Sequence, residues 1–133
     1  LCRAAGVPAR EIFSVRLGIK PEEDITTYQH CWAEFFLPGS GWVTADPADV
    51  RKAMLVEKLE LNDPKTKKYR EYFWGGIDSY RVVLAIGRDI VLNPPQSGAP
   101  LNTMGYPYAE VGGKVIDFYQ PKKFVYKYSF KEK

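Results

Sequence analysis

The sequence predicts an α+β fold, an antiparallel sheet with few helices, and three observations predict it. Apolar residues alternate with polar ones over residues 13–17, the period of a half-buried strand. An aromatic, β-favouring run at residues 30–37 meets Pro38-Gly39-Ser40-Gly41 and then a second short strand at 42–45, which reads as a hairpin. Apart from a last helical turn at residues 1–5, helix signals fall between Asp46 and Tyr72, after which the pattern returns to strands.

Taken in order, Leu1-Cys2-Arg3-Ala4-Ala5 reads as the last turn of a helix, with Gly6 as its C-terminal cap and Pro8 preventing continuation. A strand follows through Phe13, Val15 and Leu17 and ends at Gly18; residues 21–27 are a polar loop. After the hairpin, Asp46-Pro47 breaks the strand and Asp49 can cap a helix over residues 50–61. Val50, Met54, Leu55 and Leu61 approximate its apolar face. Asp63 and Pro64 suit the cap and first position of another short helix, through Tyr72, before Trp74-Gly75-Gly76 forces a turn. Residues 80–86 are nearly all apolar, as in a strand covered on both faces, and Gly87-Arg88-Asp89 turns the chain toward residues 90–92. A Pro/Gly/Asn loop spans 94–107, Gly112-Gly113 suits a tight hairpin, and residues 124–130 alternate to give a strand with one aromatic face.

The 133 residues, 45% hydrophobic and 26% charged, fit one domain, taken as 1–133. A net charge of +3, with basic residues clustered only around Lys65–Arg70 and at the end, gives no case for nucleic acid. Two cysteines and one histidine form no metal-binding pattern and no disulfide framework, and no apolar run reaches bilayer length.

Chemistry concentrates in His30-Cys31-Trp32-Ala33-Glu34, Gly41-Trp42 and Asp46-Pro47. A thiol is a nucleophile only when deprotonated, and an imidazole within reach can take its proton; His30 is that base. A carboxylate accepting the other imidazole N–H fixes the tautomer and stabilises the imidazolium, the part offered to Asp46 at the end of the neighbouring hairpin strand, although an aspartate before a proline equally suits a turn or a helix cap. Strand alternation sends His30, Trp32 and Glu34 to one face and Cys31 to the other. Cys2, in the last turn of its helix, meets a dipole that disfavours a thiolate. Both cysteines therefore read as small buried apolar residues, Trp32 and Trp42 as packing, and Glu34 as a carboxylate facing backbone or solvent.

These motifs, with Arg3-Ala4-Ala5-Gly6-Val7-Pro8-Ala9-Arg10 ahead of them, resemble the transglutaminase-like superfamily of bacterial type, over about the first third of the chain. The resemblance implies a papain-like Cys-His-Asp domain, with His30 and Asp46 present. Its nucleophilic cysteine, borne on a preceding helix, lies upstream of Leu1, so the sequence is expected to be the C-terminal portion of such a domain. It implies thiol-mediated attack on an amide or peptide carbonyl of a protein or peptide substrate, resolved by water in a protease or amidase or by an amine in a transglutaminase. That mechanism requires no metal or organic cofactor. Many bacterial relatives are exported, which admits a periplasmic or envelope location. The alternative is a non-catalytic binding or structural domain with a degenerate form of the fold; an acetyl-transferring relative is a third possibility.

Overall fold

In the computed structural model, which describes residues 1–133, a 3-10 turn (Arg3–Ala5) leads into β1 (Ala9–Arg16), β2 (Glu22–Asp24), β3 (Gln29–Leu37) and β4 (Gly41–Ala45). Two helices follow, α1 (Pro47–Glu57) and α2 (Pro64–Tyr72), and then β5 (Arg81–Ile86), β6 (Glu110–Val111), β7 (Lys114–Val115) and β8 (Ser129–Lys131). A four-stranded antiparallel sheet in the order β4-β3-β1-β5 is joined by two two-stranded ribbons, β2-β8 and β6-β7. The fold is α+β as the sequence predicts. Its residues divide into two compact units, one of Leu1–Glu11 and Trp32–Ser79, the other of Ile12–Cys31 and Tyr80–Lys133.

In the first unit the β3-β4 hairpin pairs Leu37 with Gly41 and Ala33 with Ala45, and Ser40 N–H donates to Leu37 O to close the turn. Asp46, not Asp49, caps α1: its carboxylate accepts the Asp49 N–H at 3.0 Å. The expectation failed because Pro47 occupies the first helical position, where its fixed φ suits the helix and its missing N–H costs nothing. The helix also stops earlier than expected. Lys58 takes a left-handed conformation (φ 56°) and its N–H, with that of Leu59, returns to Met54 O. Leu55 and Leu61, expected on the apolar face, are exposed, whereas Met54 is buried. α2 begins as predicted, with the Asp63 carboxylate accepting the Lys65 N–H at 2.7 Å and Pro64 next.

The two helices are tied by Glu57, which is ion-paired to Lys65 and accepts the Tyr69 hydroxyl. Lys65, and then Tyr69, hold the Glu57 carboxyl below the usual glutamate range. A depressed carboxylate pKa contributes stability above the unfolded-state value and loses it as pH falls through the folded-state value, so this tie loosens in acid. Carboxyl NMR titration is expected to give an upward-shifted Glu57 midpoint in Lys65→Met relative to the parent; an unmoved midpoint would show that the pair is broken in solution.

In the second unit β1 pairs antiparallel with β5, from Ile12 opposite Ile86 to Arg16 opposite Arg81. Clean alternation in β1 is not what the structure shows: Ile12, Phe13, Ser14 and Val15 are all buried, since β1 is a central strand, and the Ser14 hydroxyl is satisfied by donating to His30 O at 2.9 Å. β5 corrects a second expectation. It is an edge strand, interrupted by a bulge opposite Phe13/Ser14, and Val82, Val83 and Leu84 are exposed instead of covered on both faces. The polar loop at 21–27 contains β2, too short and acidic to announce itself, pairing Glu22–Asp24 with Ser129–Lys131.

Gly112 and Gly113, both at positive φ, make the β6-β7 turn as predicted. Of the aromatic stretch 124–130 only the end is strand, yet Phe124, Tyr126 and Tyr128 do contact in sequence, tilted and then edge-on, at 5.7 and 5.5 Å. The long loop is anchored by Glu110, which accepts the Ser97 N–H and hydroxyl and the Tyr108 hydroxyl. Glu110→Gln is expected to raise the rate of limited proteolysis within residues 94–107 about tenfold, because the amide replaces a charge-assisted acceptor; cleavage at the parent rate would contradict that anchoring.

Candidate active site

Asp46 is 1% exposed and sits where β4 becomes α1. Its position is fixed from three directions within the first unit. Its N–H donates to Phe73 O at 3.1 Å, its side chain caps α1, and the segment after α2 runs alongside, with Ala45 bridged to Trp74 and Gly75 N–H donating to Thr44 O at 2.7 Å. Backbone geometry at the end of α2 explains the paired glycines. Gly75 has φ of 91°, and a Cβ on Gly76 would fall 2.4 Å from Tyr72 O. Asp49, a helical turn further on, is also buried, an acidic group in the first turn of α1 where the helix dipole favours negative charge.

His30 is the second residue of β3 and half-buried; its carbonyl accepts the Ser14 hydroxyl, which ties this end of the strand to β1. It precedes by three residues Ala33, whose hairpin partner is Ala45, the residue before Asp46. Both cysteines are exposed, contrary to the expectation that they pack as buried apolar groups. Cys2 precedes a single 3-10 turn, and Cys31 is the β3 residue next to His30.

One cluster was not foreseen. The Arg10 side chain donates from Nε at 2.8 Å and lies 2.7 Å through Nη2 from the same Glu34 oxygen, while its guanidinium stacks 4.1 Å over the Trp42 ring. Glu34 is thus neither solvated nor bonded to backbone, and Trp42, 41% exposed, packs against Phe36 and an arginine. The signal lay in the sequence: one arginine, one carboxylate and one tryptophan from three motifs, which only the fold brings together. The cluster fixes the Pro8 turn to the hairpin, and Phe36 N–H donating to Pro8 O adds a backbone tie. Arg10→Met keeps the stem but leaves Glu34, 16% exposed, without its cation. A loss of about 1–3 kcal/mol in denaturant unfolding is expected, and Arg10→Lys, lacking the planar fork, is expected to recover only part.

Residues 1–47 match the profile described as the transglutaminase-like superfamily. The likeness to that superfamily is carried by these residues, about the first third of the chain. The matched stretch holds both the Arg10–Glu34–Trp42 cluster and the end of β4. Beyond it, 99% of the chain aligns at 40% identity with a protein of Haemophilus influenzae described as uncharacterized. The chain spans about 40% of that relative's length. No solved structure matches. Within residues 1–47 lie His30 on β3, Asp46 at the end of β4 and the Arg10–Glu34–Trp42 clamp. No helix of the chain is long and apolar enough to cross a membrane.

Proposed function

We propose that residues 1–133 belong to one transglutaminase-like domain performing thiol-mediated acyl transfer on amide or peptide bonds, with His30 as base and Asp46 as its carboxylate partner. The observation that carries the reading is Asp46 itself. An aspartate buried to 1% at the end of the strand paired with β3, held by backbone on two sides, costs several kcal/mol in solvation unless its charge is used. A cap alone needs only an exposed Ser, Thr, Asn or Asp.

In this mechanism the imidazole of His30 takes the thiol proton and the sulfur attacks the carbonyl carbon. The C–N bond breaks, and the imidazolium returns the proton to the departing amine. Water or a second amine then attacks the thioester and regenerates the thiol. Asp46 stabilises the imidazolium between these transfers. The nucleophile is a cysteine outside residues 1–133: Cys31 alternates away from His30 on β3, and Cys2 is not at the N-terminus of an α-helix that would favour a thiolate. The substrate is a protein or peptide, and the chemistry asks for no metal or organic cofactor.

The test is release of amine from peptide amides by the full-length protein, blocked by a thiol reagent. Residues 1–133 purified alone are expected to show none. Turnover by them that is lost in Cys2→Ser or Cys31→Ser would refute the assignment.

A further inference from the structure

Helices α1 and α2 and the segment after them line an open groove of about 870 Å³, entirely within the first unit. Its volume falls in the range of sites for small ligands and peptide side chains. The floor is apolar: Val50 and Met54 lie one turn apart on α1, and Phe73 and Trp74 follow α2. Trp74 and the flanking Leu61 leave much of their surface in water, at 66% and 62% exposure.

Charge along the groove is unbalanced. Arg51, Lys67 and Arg70 face two acidic residues, Asp46 and Glu71. Asp46 is buried and already caps α1, and Glu71 is shared with Lys67 one turn away at 3.8 Å. Arg51 and Arg70 are therefore left as cations without an acidic partner in the lining, above an apolar floor. We infer that this groove docks an acidic peptide segment, one that places an apolar side chain against Met54, Phe73 and Trp74 and its flanking carboxylates on Arg51 and Arg70.

Arginine suits that role because its fork takes a carboxylate through two parallel hydrogen bonds. A nucleic acid would call for a longer row of cations, and a bilayer for a protruding rather than recessed apolar face. The inference goes beyond the acyl-transfer reading, since docking here needs neither a thiol nor His30.

Fluorescence anisotropy with the full-length protein tests it, using a labelled decapeptide with a central Leu-Phe flanked by Asp and Glu, and the same peptide with Asn and Gln in their place. The acidic peptide is expected to bind about tenfold or more tighter than the neutral one, with affinity falling as salt rises. The Arg51→Glu/Arg70→Glu double variant, altered only at exposed positions, is expected to lose about tenfold or more while keeping its far-UV spectrum. His30→Ala is expected to bind like the parent, so a failed acyl-transfer reading would leave this result standing. Equal affinity for the two peptides, unchanged affinity in the double variant, or tighter binding of phosphatidylserine vesicles or an oligonucleotide would overturn the inference.

Discussion

His30→Ala is expected to lower thiol-dependent amine release by the full-length protein about 10²–10⁴-fold, the usual loss when a positioned acid–base group is removed. The fold should survive. Ser14 donates to the backbone carbonyl of His30, a bond that does not need the imidazole, and the hairpin register is held further along at Ala33–Leu37. The readout is kcat, with KM measured alongside so that a loss of chemistry is told apart from a loss of binding. A variant that keeps most of its rate would move the base elsewhere.

The second large effect separates two roles of one residue. Asn is as good an N-cap as Asp, so Asp46→Asn should keep α1 capped and change unfolding free energy by no more than about 1 kcal/mol from that cause. It removes the charge that would stabilise an imidazolium, and the expected fall in rate is about 10²–10⁴-fold, the scale on which a misoriented or unsupported base operates. Asp46→Ala should lose the cap as well, about 0.5–2 kcal/mol. If Asp46→Asn retains near-parental activity while Asp46→Ala fails only through instability, Asp46 is a structural cap and no more.

The hairpin, the α2 cap and the Gly112-Gly113 turn were legible because each rests on local chemistry: a turn needing positive φ, a proline at a first helical position, a run of β-favouring residues. The misreadings share a different cause, since they depend on what lies beside an element. Whether residues 80–86 are covered depends on strand order, and β5 ended at the edge. β2 is a strand only because β8, more than 100 residues later, comes to pair with it. The displacement of the cap from Asp49 to Asp46 had a local signal in Pro47, which marks the preceding aspartate as a helix cap as well as breaking the strand.

The candidate site divides the same way. His30 and Asp46 were proposed from residue type and order, and the motifs that suggested them lie within the stretch that matches the transglutaminase-like profile. The Arg10–Glu34–Trp42 clamp joins residues up to 32 positions apart and has no signature until the strands are in register. The exposure of Cys2 and Cys31 likewise depends on packing that periodicity does not describe.

The most direct measurement is to trap the acyl intermediate: incubate full-length protein with a peptide amide, quench in acid, and locate the thioester by peptide mass mapping, with His30→Ala alongside. The expected result is one acylated cysteine that is neither Cys2 nor Cys31, formed rapidly in the parent and slowly in the variant. Acylation of Cys2 or Cys31, or formation at the same rate without His30, would contradict thiol acyl transfer through the His30–Asp46 pair.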